Sequence, residues 1–130
     1  TESLLMEEID SRISQLQQLK QLGVKLSIDD FGTGFSSLSY LRKLPVNELK
    51  IDRSFIKNIP DRNNSCAIVR SVIFLAEQLG LKTVAEGVET EEQRQYLEKQ
   101  HCHLIQGYFF SRPLPAEKLY DQYLRLKKQA

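Results

Sequence analysis

The chain has 130 residues, the length of one ordinary domain, and its 41% hydrophobic and 27% charged residues suit a globular protein. Eighteen basic against seventeen acidic side chains leave a net charge of +1, which excludes a whole-molecule field aimed at a nucleic-acid polymer or acidic lipid. No apolar run could span a bilayer, no secretory signal is present, and Cys66 and Cys102 show no metal-type pairing, so a cytoplasmic location without membrane contact from this segment is expected.

The chain opens Thr1-Glu2-Ser3 and enters a helical pattern at once, which reads as a piece cut from something longer. Ser3 is the expected N-cap of a helix running to about Leu22. Leu5, Ile9, Ile13, Leu16 and Leu19 step by three or four along it and predict one buried stripe. Gly23 supplies the stop. Val24–Ile28 reads as a short buried strand, followed by a loop that begins Asp29-Asp30-Phe31-Gly32. Ser36 or Ser37 should cap a short helix through about Lys43, closed by the Leu44-Pro45 step.

Glu48–Ile51 is the next predicted strand, and Asp52 to Asn64 a polar loop anchored by Phe55-Ile56. A helix is expected over Ser65–Leu79, with Ile68, Val69, Val72, Ile73, Ala76 and Leu79 as its apolar face and Gly80 as its end. Leu81–Ala85 reads as a strand finishing at Glu86-Gly87. Thr90-Glu91-Glu92-Gln93 is a capping box that opens a helix to about Gln100. Cys102–Ile105 is the last strand, ending at Gln106-Gly107, and a final helix after Pro115 carries Leu119, Tyr123, Leu124 and Leu126. Alternation of this kind predicts an α/β fold of four parallel strands with covering helices.

Each strand closes on a polar side chain: Asp29, Lys50, Glu86 and Gln106. The C-terminal ends of parallel strands line the ligand crevice of α/β folds, so these four should converge on one rim, with Asp30 and Glu89 just beyond it. Carboxylates for hard cations, a lysine for a water or a developing negative charge, and an amide to orient suit metal-assisted hydrolysis of an anionic substrate. Singly, each has a plainer reading. A strand-end aspartate often caps a turn, and Lys50 could lie along an edge strand with its head in water. Their coincidence at one structural level is what favours a site. His101 and His103 share a side of their strand, but no third ligand of suitable type is nearby and a zinc site is not expected. Arg125, Lys127 and Lys128 read as a solvated helix face.

At these residues the chain resembles the EAL family of cyclic di-GMP phosphodiesterases. The matching segments are Leu26-Ser27-Ile28-Asp29-Asp30-Phe31-Gly32-Thr33-Gly34-Phe35-Ser36-Ser37-Leu38, then Leu49-Lys50-Ile51-Asp52, then Val84-Ala85-Glu86-Gly87-Val88-Glu89. Gln106-Gly107-Tyr108 and Ser111-Arg112-Pro113-Leu114-Pro115 follow in the family's order. Thr1-Glu2 looks like the tail of the family's Glu-x-Thr-Glu segment. The resemblance implies the C-terminal half of a TIM-like (β/α)8 barrel. It also implies two Mg²⁺ or Mn²⁺ ions per complete domain and hydrolysis of cyclic di-GMP to linear pGpG.

By the same resemblance, Asp29 would bridge both metals, Asp30 would bind the second, and Glu86 would hold the second directly or through water. Lys50 would orient the attacking water, Glu89 and Gln106 would support the metal and water network, and Glu2 would brace the loop after Asp29-Asp30. No substrate-binding residue is assigned. The Glu-Ala-Leu signature, the upstream Asn ligand and the first Glu of Glu-x-Thr-Glu are absent from the chain. A full barrel needs about 250 residues, so residues 1–130 are expected to be inactive alone and to dimerise or pair with the missing half-barrel. Two other readings stand beside the enzyme: a degenerate EAL domain that binds cyclic di-GMP without cleaving it, and an interaction module on a flavodoxin-like fold. Every family residue expected in this segment is present, which favours the enzyme.

Overall fold

Short β-rich runs alternating with amphipathic helices assemble into a four-stranded parallel sheet. A computed structural model describes residues 2–33 and 41–129. Helix α1 (Glu2–Gln21) leads into β1 (Ser27–Phe31), then β2 (Glu48–Ile51), the single turn α2 (Arg53–Ile56), α3 (Asn63–Gln78), β3 (Lys82–Glu86), α4 (Glu91–Lys99), β4 (Leu104–Gln106) and α5 (Ala116–Gln129). The strands lie in sequence order, β1-β2-β3-β4, and every pair is parallel. The expected α/β architecture is therefore observed. Among the described residues, no helix is long and apolar enough to cross a membrane.

Register sorts the side chains onto two faces. Leu49 pairs with Thr83 and Ile51 with Ala85, and all four are fully buried. With Ile28, Phe31 and Ile105 they form the face on which α2, α3 and α4 pack through Ile56, Val69, Val72, Ile73, Ala76 and Leu97. Strand side chains alternate, so Lys50, Val84, Glu86, Leu104 and Gln106 share the opposite face. Fully burying a Leu, Ile or Val side chain stabilises by about 1.5–3 kcal/mol, which makes the helix-side face the part that holds the sheet together.

Several boundaries differ from expectation. Strand β1 begins at Ser27 rather than Val24 and includes Asp29 and Asp30. Pairing, not hydropathy, decides this: the Leu26 N–H is taken by the Asn47 side chain at 3.0 Å, and the ladder starts one residue later at Ser27↔Glu48. Ser3 lies inside α1 and is not its cap. Of the predicted α1 stripe, Ile13 is buried, Leu16 half-buried and Leu19 44% exposed; the side chains of Leu5 and Ile9 lie outside the described residues. Leu19 is followed by exposed Leu22 and Val24, because the chain runs unpaired until Ser27. Ile68 is likewise exposed rather than on the α3 core face.

The predicted polar loop after Asp52 contains α2, because the Asp52 carboxylate accepts the Ser54 N–H at 2.8 Å and caps a turn. Helix α3 starts two residues before the expected Ser65, the Cys66 N–H bonding back to the Arg62 carbonyl at 3.0 Å. Strands β3 and β4 sit one or two residues later than predicted, so Glu86 and Gln106 are strand residues. The helix expected from Ser36 or Ser37 to about Lys43 lies outside the described residues as far as residue 40, and Leu41 is helical at its expected end. The Thr90 capping box is formed as predicted: Gln93 N–H donates to Thr90 Oγ1 at 3.2 Å, and Gln93 Oε1 accepts the Thr90 N–H at 3.2 Å.

One glycine is demanded by close approach. A Cβ on Gly107 would overlap the backbone N, C and O of Val88, where Val88 N–H bonds the Gln106 carbonyl at 3.1 Å and Phe109 N–H the Val88 carbonyl at 3.0 Å. Backbone cannot rotate aside as a side chain can. Gly107→Ala is expected to destabilise the fold by about 1–3 kcal/mol, read as a lower urea midpoint; an unchanged midpoint would mean the two segments do not meet this closely.

Candidate metal centre

The site grows from an irregularity in β1. Ser27 and Ile28 pair with Glu48 and Leu49, yet Phe31 pairs with Ile51, so Asp29 and Asp30 together oppose one residue of β2. This is a β-bulge, which inserts one residue and re-aims its neighbours. Asp30 takes φ +52°, a left-handed conformation that Asp tolerates better than most residues. The Asp30 N–H folds back onto Asp29 Oδ1 at 3.0 Å. Adjacent residues of a regular strand point to opposite faces; the bulge cancels that alternation.

Lys50 occupies the middle of the cluster. Its Nζ lies 3.1 Å from both carboxylate oxygens of Asp29 and 2.6 Å from Glu86 Oε1. The hydrogen bond to Glu86 raises the Lys50 ammonium above the usual lysine range, with Asp29 adding to it against the opposing effect of burial. Asp29, Asp30 and Glu86 each offer an oxygen within 4.8 Å of the others, the grouping among the described residues that could hold a metal ion.

Charge crowding marks the same spot. The negative charge of Asp29 raises the Asp30 carboxyl above its ordinary range, reinforced by burial and by Asp52. Asp52 is held below its ordinary range, first by the Ser54 side chain and then by the Ser54 backbone. The Asp52 charge thus adds to the crowding at Asp30. Carboxylates that repel one another at a rim accessible to solvent suit a hard cation, which takes several oxygen ligands. The donor set fits Mg²⁺ or Mn²⁺.

Asp29, Asp30, Lys50 and Glu86 form one cluster at the ends of β1, β2 and β3. Gln106 stands opposite Glu86 in the ladder, and with Glu89 it lines an adjoining recess of about 170 Å³ beside Arg53, Gly87, Gly107 and Tyr108. The Glu89 carboxylate is engaged by Arg53 Nη2 at 2.5 Å. Glu2 opens α1, and its side chain lies outside the described residues. His101 sits in a turn at φ +61°, and His103 Nδ1 is 3.1 Å from the Thr83 hydroxyl, a structural contact.

Sequence reasoning gave Asp52 no place in the cluster and did not single out Arg53. A signal existed for Asp52, since it lies two residues beyond Lys50 and strand periodicity repeats every two. Arg53 meets Glu89 across 36 residues, and nothing local announces that pair.

Comparison with known proteins shows the family. The EAL domain family model matches residues 1–113. The cyclic di-GMP phosphodiesterase NbdA of Pseudomonas aeruginosa is 54% identical over 125 residues, 96% of this chain and 16% of its own length; the chain thus spans about one-sixth of that curated relative. The solved cyclic di-GMP complex of the PaMucR phosphodiesterase superposes with a TM-score of 0.81 at 49% identity, covering 88% of this chain and 46% of that one. The manganese and cyclic di-GMP complex of Klebsiella pneumoniae BlrP1 superposes with a TM-score of 0.70 at 42% identity, covering 77% and 26% respectively. The four strands and their helices are part of the TIM-like barrel of such domains, and the chain belongs to the EAL domain family.

Proposed function

We propose that residues 1–130 are the C-terminal half of one EAL domain, from a cytoplasmic phosphodiesterase that hydrolyses one phosphodiester bond of cyclic di-GMP to give linear pGpG. The observation that carries this reading is the convergence of Asp29, Asp30 and Glu86 around Lys50 at the ends of three parallel strands. The phosphodiesterase named in NbdA and the cyclic di-GMP and manganese named in BlrP1 support it.

Asp29 would hold both of two divalent cations, Mg²⁺ or Mn²⁺, with Asp30 and Glu86 on the second. Such cations supply a water of lowered pKa and charge stabilisation at the attacking and leaving oxygens. Lys50 keeps its full charge, since Glu86 raises it, and sets a proton donor between the two carboxylates where the attacking water is oriented. The Glu86 carboxylate, 2.6 Å from that ammonium, lies on the same face and would hold its cation directly or through water. Glu89 and Gln106, in the adjoining recess, support the water network, and Glu2 braces the loop after Asp29-Asp30.

In a complete domain the Glu of Glu-Ala-Leu, the upstream Asn and the first Glu of Glu-x-Thr-Glu would complete the first cation's shell. The half-barrel pairs with that missing half or with a second copy. Strands β1 and β4 are open edges, and Leu104 on β4 is 47% exposed, which favours such pairing.

In the complete domain, Asp29→Asn should reduce conversion of cyclic di-GMP to pGpG to background by chromatographic assay; retention of most activity would remove the bridging role. Lys50→Ala should lower kcat by about 10²–10⁴-fold while calorimetric affinity for cyclic di-GMP changes far less. A parallel loss of affinity would instead make Lys50 a substrate ligand. The 130-residue chain alone, with Mg²⁺ or Mn²⁺, is expected to release no pGpG, and measurable turnover would refute the need for the other half.

A further inference from the structure

We propose that Arg53 acts in the reaction through Glu89, as a positioning residue for that carboxylate; the inference rests on the place given to Glu89 above. Arg53 is the first residue of α2, three positions beyond Lys50. Its Nη2 lies 2.5 Å from Glu89 Oε1. The stem of the side chain lies over Gly87, where an added Cβ would overlap Arg53 Cβ, Cγ and Cδ. Gly87 itself stands at φ +74°, a conformation that favours glycine. The turn leaving β3 thus leaves room for this arginine and presents a carboxylate to it two residues on.

The backbone of Glu89 is fixed separately. Its N–H donates to Gln93 Oε1 at 2.8 Å, in the capping network of α4. What remains free is the direction of the carboxylate, and Arg53 sets it. The two side chains are 63% and 46% exposed, and an ion pair so open to water adds little to stability. Orientation, rather than holding the fold, is what this contact can supply. The carboxylate so directed lines the same small recess as Gln106 and Tyr108, beside the turn that carries Glu86 at its start.

The test uses the complete protein carrying Arg53→Ala, Arg53→Lys, Glu89→Ala or the double R53A/E89A, followed for kcat, KM for cyclic di-GMP and thermal midpoint. Arg53→Ala should lower kcat by about 10–100-fold, as loss of outer-shell partners does. Its KM should stay within about twofold and its melting temperature within about 2 °C. Arg53→Lys should recover part of the loss, because an ammonium pairs the same carboxylate without the planar fork. Adding Arg53→Ala to Glu89→Ala should cost nothing further. Wild-type kcat in Arg53→Ala, with Glu89→Ala impaired, would overturn the inference and leave the proposed function intact. Wild-type kcat in Glu89→Ala would remove Glu89 from the reaction and the inference with it. A raised KM that persists in the Glu89→Ala background would make Arg53 a substrate contact, which also overturns it.

Discussion

The site depends on one extra residue in one strand. Without the bulge at Asp29-Asp30, strand alternation would send one carboxylate towards the helices, into the layer occupied by Leu49 and Ile51. With it, Phe31 returns to that layer as a partner of Ile51, and both aspartates stay clear of the apolar core. Burying an unpaired carboxylate costs far more than one left-handed residue, so Asp30 at φ +52° is the cheaper arrangement. The bulge satisfies packing and chemistry at once.

Lys50 answers the problem that the bulge creates. Three carboxylates with oxygens within 4.8 Å of one another repel, and the Asp29 charge foremost raises the Asp30 carboxyl. An ammonium placed between Asp29 and Glu86 neutralises part of that charge without coordinating in a metal's place. It can sit there because β2 is central in the sheet and exact register with β3 sets Lys50 one pleat before Glu86. The helix-side layer beneath fixes that register, since a slip of one residue would turn Lys50 into the core.

The loops at this rim are tied to one another as well as to the strands. Residues 52–55 bear on three neighbours: the Asp52 charge raises the Asp30 carboxyl, Arg53 holds Glu89, and the Phe55 ring packs where Gly32 would carry a Cβ, at 2.9 Å. A four-residue turn with Ile56 fully buried behind it therefore spans the exits of β1, β2 and β3. Relative placement of the acidic groups rests on this turn, which sequence reasoning had taken for a loop.

The sequence by itself determined the alternation of helices with four parallel strands, the capping box at Thr90, the helix stops at Gly23 and Gly80, and the polar residues near the strand exits, although β1 and β2 close on Phe31 and Ile51 rather than on Asp29 and Lys50. These are local signals, carried by periodicity over a few residues and by side chains that bond their own backbone. Strand limits escaped it, because Val24 and Leu26 are as apolar as any strand residue and only the ladder decides where pairing begins. The bulge escaped it too, since nothing in Asp29-Asp30 distinguishes an extended pair from one that opposes a single residue. The recess that Glu89 and Gln106 line beside the carboxylate cluster, and the Arg53–Glu89 pair, were settled by tertiary structure alone. Contacts across 36 residues depend on how two loops leave neighbouring strands, and no short-range pattern encodes that.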